Sequence, residues 1–242
     1  RGDPSVASMK GVILSIDPGI ALVDISHDIP RHAVAAGAYV LSMAARYFPA
    51  GTIHLAVVDP GVGGARRPVV CSAGTQRYVG PDNGLFDAIS RRDPDARWYE
   101  IREVRYCLKP PADSPTFQGR DVFAPVAAWL AHGTAPEAFG PPIDDPIRLA
   151  APQDRALDGE IVWIDRFGNL ISNLAAPPGP RARAVAIAGH KIPLVTHYAA
   201  GPSGAPAALI NSDDLLEVFV NQGDAASALQ VSIGTPISWI ES

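Results

Sequence analysis

The feature that most constrains this chain is a change of rhythm near residue 140. Ahead of it, short unbroken apolar runs alternate with stretches of helical period; beyond it, only short β-like runs remain. The helical stretches are four. Asp3-Pro4 reads as an N-cap with proline at the first helical position, and Val6, Met9, Ile13 and Ile16 follow at helical spacing. Residues 34–47 are alanine-rich, residues 84–91 form a shorter helix, and residues 120–132 end at Gly133, a C-terminal stop. Between them, residues 20–26 and 53–58 are nearly all apolar, the pattern of strands buried on both faces. Further strands are expected around Val69, around Tyr78 and over 98–102. This alternation predicts an α/β domain over residues 1–145 with a largely parallel sheet.

Residues 140–158 are rich in Pro and Asp and carry no sustained period, so they read as a linker. The runs at 161–164, 185–187, 192–195, 215–220 and 230–233 then predict a small all-β domain over residues 156–242, a barrel. The net charge of −5, with no Lys/Arg-rich run, excludes the electrostatic footprint of a nucleic-acid binder. Apolar stretches fall well short of the roughly 18 residues that a membrane-spanning helix needs. The N-terminus shows no charged-then-apolar signal pattern. Cys71 and Cys107 lack metal-type spacing and read as free thiols in a reducing compartment, so a cytoplasmic protein is expected.

Three segments join loop-forming glycines to functional groups. VVDPGVGGARR (57–67) ends a buried strand in Asp59, turns at Pro-Gly and returns Arg66 and Arg67. The carboxyl end of a parallel strand faces a ligand crevice in α/β sheets; the plainer reading is a turn whose aspartate bonds its own backbone. SPTFQGRDVFAP (114–125) places Phe117, Gln118 and Gly119 just ahead of a helix, where free N–H groups gather. Its plainer reading is a cap with Arg120–Asp121 as a surface ion pair. IDRFGNLISNL (164–174) crowds Asp165, Phe167, Asn169 and Asn173 into a strand–turn–strand, which an Asn-rich hairpin also explains. YVGPDNGLF (78–86), with Asn83, is weaker alone, since Asp-Asn-Gly is an ordinary turn. The six histidines form neither HxH nor HExxH, so no metal site is expected. GxSxG elbows, Walker loops and dinucleotide glycine fingerprints are absent.

Taken together, GDPSVASMKGVIL, VDISHDIP, YFPAGTIHLAVVDPGVGGARR, VGPDNGLF, TFQGRDVFAPVAAWLAHG, IDRFGNLISNL and LINS resemble, in order, the S-adenosylmethionine hydroxide adenosyltransferases, relatives of the fluorinases and chlorinases. The resemblance implies an N-terminal α/β domain, a C-terminal β-barrel and a homotrimer with active sites between one subunit's N-domain and its neighbour's C-domain. It implies S-adenosylmethionine as substrate, adenosine and L-methionine as products, and no further cofactor. Asp59 falls where water-using members keep an aspartate and halogenases a tyrosine; Arg66 falls on the arginine of the water-using triad. The long fluorinase insertion after this region is absent.

The chemistry fits those residues. A sulfonium is already a good leaving group, so the site must supply an aligned, partly desolvated water behind the ribose 5′ carbon. Asp59 and Arg66 are suited to orient it, and the cation to stabilise developing hydroxide. The third triad member, a histidine in the family pattern, is Gln118 here. Glutamine hydrogen-bonds water but does not take its proton at neutral pH. Gln118 is thus either a natural variant that positions water less actively or a change introduced to trap substrate.

The resemblance also implies that Asp3 and Ser5 meet the methionine ammonium, joined by Asp165. Ser212 matches a contact to the methionine carboxylate, though Asp213 stands where fluorinases have arginine. Phe167 and Tyr198 match aromatics around the adenine, and Asn169 its edge-reading amide. His32 sits where some members place an aromatic beside the ribose, against a plainer reading as a surface histidine. Phe117 is expected to line the 5′ side, and Asn83 and Gly119 to contact substrate. Family members begin with a strand ending in a Thr-Asp-Phe-Gly-type motif. Arg1 falls just beyond it, and that strand is expected to precede the residues given.

Overall fold

A computed structural model describes residues 3–149, 157–176 and 182–241. The chain divides into two compact units, Arg1–Leu149 and Ala150–Ser242. Residues 150–156 of the predicted linker lie outside the described residues.

The first unit is a five-stranded sheet clothed by helices. Helix α1 (Ser5–Ile16) follows Asp3, whose carboxylate accepts the Ser5 N–H at 2.7 Å. The main elements that follow are α2 (Val34–Ala45), β1 (Ile53–Leu55), β2 (Pro68–Ala73), β3 (Gln76–Pro81), α3 (Asp87–Arg92), β4 (Arg97–Glu100), a π-helical turn (Gly119–Phe123), α4 (Ala124–Ala131) and β5 (Pro142–Ile143). Side chains of β2 alternate as the pleat requires. Val69 and Cys71 pack with Ala38, Leu41 and Phe86 on one face, while Val70 packs with Val122, Phe123 and Val126 on the other. Fully burying each such large side chain contributes roughly 1.5–3 kcal/mol. Burial also pushes the Cys71 thiol up to about 12, and both cysteines are free.

In this unit two expectations are corrected. The sheet, in the order β1-β3-β2-β4-β5, is mixed rather than largely parallel: β1 pairs β3 parallel, and the pairs β3–β2, β2–β4 and β4–β5 are antiparallel. The reason is local. Only Gly74 and Thr75 separate β2 from β3, and a two-residue connection can only make a hairpin. Residues 20–26 are not a strand either. An apolar run becomes a strand only where a neighbour takes up its N–H and C=O groups, and no pairing of this segment exists among the described residues; Val23 is 68% exposed.

The second unit is a seven-stranded sheet in the order β10-β11-β7-β6-β12-β8-β9, antiparallel throughout. Its strands are β6 (Asp158–Ile164), β7 (Leu170–Ala175), β8 (Ala182–Ile187), β9 (His190–Pro193), β10 (Pro206–Ile210), β11 (Leu215–Val220) and β12 (Pro236–Glu241), with helix α5 (Ala225–Leu229) before the last. A bridge from Leu194 to Ala208 joins the two edges, so the sheet nearly closes on itself. Ile161, Leu170, Val185, Leu216, Val218 and Ile237 fill the interior. The run at 230–233 is not a strand. Asp224 caps α5 by accepting the Ser227 N–H at 2.8 Å, and Gln230 ends that helix in the left-handed conformation at φ 53°.

Candidate active site

Beyond β1 the chain runs on to Asp59 and turns at Pro60-Gly61, where the Gly64 N–H returns to the Gly61 carbonyl at 3.0 Å. Gly63, at φ 76°, lies so close to a second loop that a Cβ there would stand 2.3 Å from the Pro115 carbonyl oxygen. That contact demands glycine and brings the 57–67 and 114–125 segments together.

Where they meet, Arg66 forks onto Asp59. Its Nε donates to Oδ1 at 2.9 Å and its Nη2 donates to Oδ2. Its Nη1 donates to Gln118 Oε1 at 2.5 Å. Gln118 Nε2 in turn donates to the Pro111 carbonyl at 2.9 Å. A guanidinium can only donate and a carbonyl can only accept, so one orientation of the Gln118 amide fits. The side chains of Asp59 and Arg66 are 5% and 7% exposed, and Gln118 is buried. The Arg66 guanidinium also lies 5.4 Å from the Phe123 ring centroid. These bonds use three of the five N–H groups of the guanidinium.

Gln118 immediately precedes the π-helical turn, a geometry often found at functional positions. Gly119 is buried there, with the Met9 sulfur of α1 2.8 Å from where its Cβ would be. Asp3 and Ser5 stand at the start of that same helix. Phe117 is half-buried with the Arg120 guanidinium 4.8 Å from its ring centroid. Asp121 is buried rather than on the surface; it takes the Arg120 fork and a 2.8 Å bond from Ser114 Oγ, which together hold its carboxyl below the usual range.

Asn83 is spent on backbone: its Nδ2 donates to the Val58 carbonyl at 2.8 Å, and its Oδ1 accepts the Leu85 N–H. It thereby ties the turn after β3 to Val58, the residue before Asp59. His32 is an exposed turn residue at φ 66°. Arg67, next to Arg66, leaves the cluster: its Nε and Nη2 bond buried Asp82, at 3.0 and 2.7 Å. Asp82 also accepts the Ile147 N–H, pinning residues 145–149 to this unit.

In the second unit, Asp165 and Asn169 close the β6–β7 hairpin. One Asp165 oxygen accepts the Phe167 and Asn169 N–H groups, and the other accepts Asn169 Nδ2 at 3.0 Å. The hairpin reading therefore accounts for the bonds of both residues. Phe167 is 61% exposed with Arg166 over its ring. Tyr198 is half exposed and donates its hydroxyl to buried Glu217 at 2.6 Å. Ser212 is exposed in the turn from β10 to β11.

Family models provide the deciding comparison. The model of the SAM hydroxide adenosyltransferase N-terminal domain matches residues 1–140, and that of the C-terminal domain matches residues 159–238. The chain belongs to the SAM hydroxide adenosyltransferases. This member is 42% identical to the (R)-S-adenosyl-L-methionine hydrolase of Thermus thermophilus, over 97% of its own length and 94% of that protein. It is 36% identical to the hydrolase of the same name from Salinispora tropica, over 96% and 91%. A fluorinase of an Actinoplanes species is more distant, at 28%. An uncharacterised conserved protein from Thermotoga maritima has the same fold, with a TM-score of 0.86 at 29% identity, over 99% of this chain and 96% of that one.

Asp82 and Glu217 were not among the residues singled out in this adenosyltransferase's sequence. Asp82 hides in an ordinary Asp-Asn-Gly turn. Glu217 had a signal: it is the one charge in the apolar strand LLEVFV.

Proposed function

We propose that the chain hydrolyses S-adenosylmethionine. Water attacks the ribose 5′ carbon, the carbon–sulfur bond breaks with its electron pair passing to sulfur, and L-methionine, adenosine and one proton result. The observation that carries this reading is the buried Asp59–Arg66 fork with Gln118 at its third corner. Asp59 accepts a hydrogen bond from the attacking water. Arg66 keeps the carboxylate fixed and faces the oxygen as it gains negative charge in a partly dry site, where such help is worth most. Geometry is the main contribution, because the sulfonium leaves without a general acid. Asp59 favours water over chloride as nucleophile, since a carboxylate accepts a hydrogen bond from water and chloride has no proton to give.

On this reading Asp3, Ser5 and Asp165 meet the methionine ammonium, and Ser212 the carboxylate. Phe167, Asn169 and Tyr198 surround the adenine, and His32, Asn83, Phe117 and Gly119 approach the ribose side. The enzyme works as a homotrimer in the cytoplasm. No helix among the described residues is long and apolar enough to cross a membrane.

The test is incubation with S-adenosylmethionine in ¹⁸O-labelled water, followed by chromatography and mass spectrometry. Labelled adenosine with equimolar methionine is the expected result. Unlabelled adenosine, or attack elsewhere on the cofactor, overturns the mechanism; a 5′-chloro product in high chloride revives halide transfer. One observation favours a second reading, a binding protein without turnover: both polar atoms of Gln118 are already engaged, by Arg66 and by Pro111. Tight binding of intact S-adenosylmethionine, with no activity gained by Gln118→His, identifies that case.

A further inference from the structure

Outside the Asp59 cluster, Glu217 is a buried acid carried on a barrel strand. It lies on β11 between apolar neighbours and is buried, a position where a carboxylate is unfavourable unless donors surround it. Two side chains do so. Tyr198 Oη donates to Oε1 at 2.6 Å, and Asn211 Nδ2 donates to Oε2 at 3.2 Å. Both donors lead outward to candidate ligand contacts.

Tyr198 is 49% exposed, so burial does little to fix its ring. It packs edge-to-face with Phe219, two residues along the same strand and therefore on the same face as Glu217, with centroids 4.8 Å apart. The hydroxyl bond to Glu217 joins the Phe219 contact in setting the angle that the ring presents. Asn211 opens the turn that carries Ser212. Its Oδ1 accepts the N–H groups of Asp213 at 2.9 Å and Leu215 at 3.2 Å, holding that turn shut while Nδ2 reaches back to Glu217. Asp165 lies near enough for its charge to act on Glu217 as well.

We propose that Glu217 is a positioning residue for substrate binding, its carboxylate orienting Tyr198 for the purine and, through Asn211, the Ser212 turn for the methionine carboxylate. The proposal rests on the reading that Tyr198 and Ser212 contact S-adenosylmethionine. Glu217 touches no reacting atom, so its effect falls on binding rather than on the chemical step. An apolar residue of similar size would fill the same space without ordering either donor.

The experiment uses the full chain and the variants Glu217→Leu, Glu217→Gln and Tyr198→Phe. It measures kcat and KM for S-adenosylmethionine and product inhibition by adenosine and by methionine. Glu217→Leu is expected to raise KM at least about tenfold while kcat stays within about threefold, the signature of lost uniform binding. Inhibition by both products weakens with it. Glu217→Gln, with one acceptor oxygen left, gives an intermediate KM. Tyr198→Phe weakens adenosine inhibition alone, and it removes the same hydroxyl bond at an exposed position should Glu217→Leu not fold. A fall in kcat with KM and both inhibition constants unchanged means a structural role and overturns the proposal, as do unchanged kinetics throughout. Absence of turnover in the unaltered protein instead counts against the proposed function. In that case calorimetric titration with adenosine decides: wild-type binding that Glu217→Leu and Tyr198→Phe both weaken supports the positioning role, and equal binding, or none to the wild type, overturns it.

Discussion

Arg66 grips Asp59 with two nitrogens, Nε at 2.9 Å from Oδ1 and Nη2 on Oδ2, and neither side chain is more than a tenth exposed. Such a pair is costly to break on one side only, because the remaining charge stays buried and uncompensated. Asp59→Ala and Arg66→Ala are each expected to lower stability by about 3–5 kcal/mol, and each to reduce turnover at least about 10²-fold. The double variant is expected to be less destabilised than the sum of the two, since it leaves no lone charge. Urea denaturation of the three proteins beside their turnover checks this; strictly additive losses would show that the two side chains do not act as a unit.

Gln118 carries the clearest pH expectation. It does not titrate, and its amide is fixed between Arg66 and the Pro111 carbonyl. Turnover by the unaltered protein is therefore expected to be flat from about pH 6 to 9, with no general-base limb. Gln118→His introduces an imidazole beside Arg66, whose positive charge disfavours the imidazolium. The variant is expected to gain activity as pH rises, with an inflection at or below the ordinary histidine value of about 6.5. A general base is worth roughly 10²–10⁴-fold, so a gain of even tenfold at pH 8 is readily measured. A sloping wild-type profile that Gln118→His leaves unchanged means that another group takes the proton.

Much of this was legible because it is local. The helix over Val6–Ile16 follows from apolar spacing, and the barrel strands at β6, β8, β9 and β11 from short apolar runs. The sheet direction was not, because alternating apolar runs and helices resemble βαβ units even where a Gly74-Thr75 hairpin reverses the chain. Residues 20–26 misled because an apolar run becomes a strand only where a ladder partner exists, and none pairs with it among the described residues. Strands β10 and β12 escaped notice since each opens on a proline, Pro206 and Pro236, which reads as loop yet is tolerated at the first residue of a strand. At the candidate site, Asp59 and Arg66 stood out as polar groups just beyond a buried strand. The meeting of their loop with Gln118, 52 positions further on, is a tertiary fact.

That meeting depends on Gly63. Its φ of 76° suits glycine, and a Cβ would press into the Pro115 carbonyl at 2.3 Å. Gly63→Ala is expected to cost about 1–3 kcal/mol from backbone strain alone, with additional loss from the clash, and to displace Arg66 from Gln118. Because about 1 Å of misplacement can cost 10²-fold in rate, turnover is expected to fall further than stability does. Thermal melting and kcat measured side by side check this; a variant with wild-type turnover would show that the two loops need not touch.

Glu217 links the barrel to pH. Burial pushes its carboxyl above the usual range, and the neighbouring Asp165 charge adds to this, while the bonds from Tyr198 and Asn211 pull the other way. A raised acid holds its proton more tightly in the folded protein than in the unfolded chain. The stability that this proton supports is complete below the unfolded value of about 4.3 and is lost as pH climbs through the folded value. Glu217→Gln has no proton to lose. The melting temperature of Glu217→Gln minus that of the wild type is therefore expected to grow more positive from pH 4.5 toward pH 8. Parallel melting curves across that range would mean that Glu217 is charged equally in the folded and unfolded states, and that its two donors fully offset its burial.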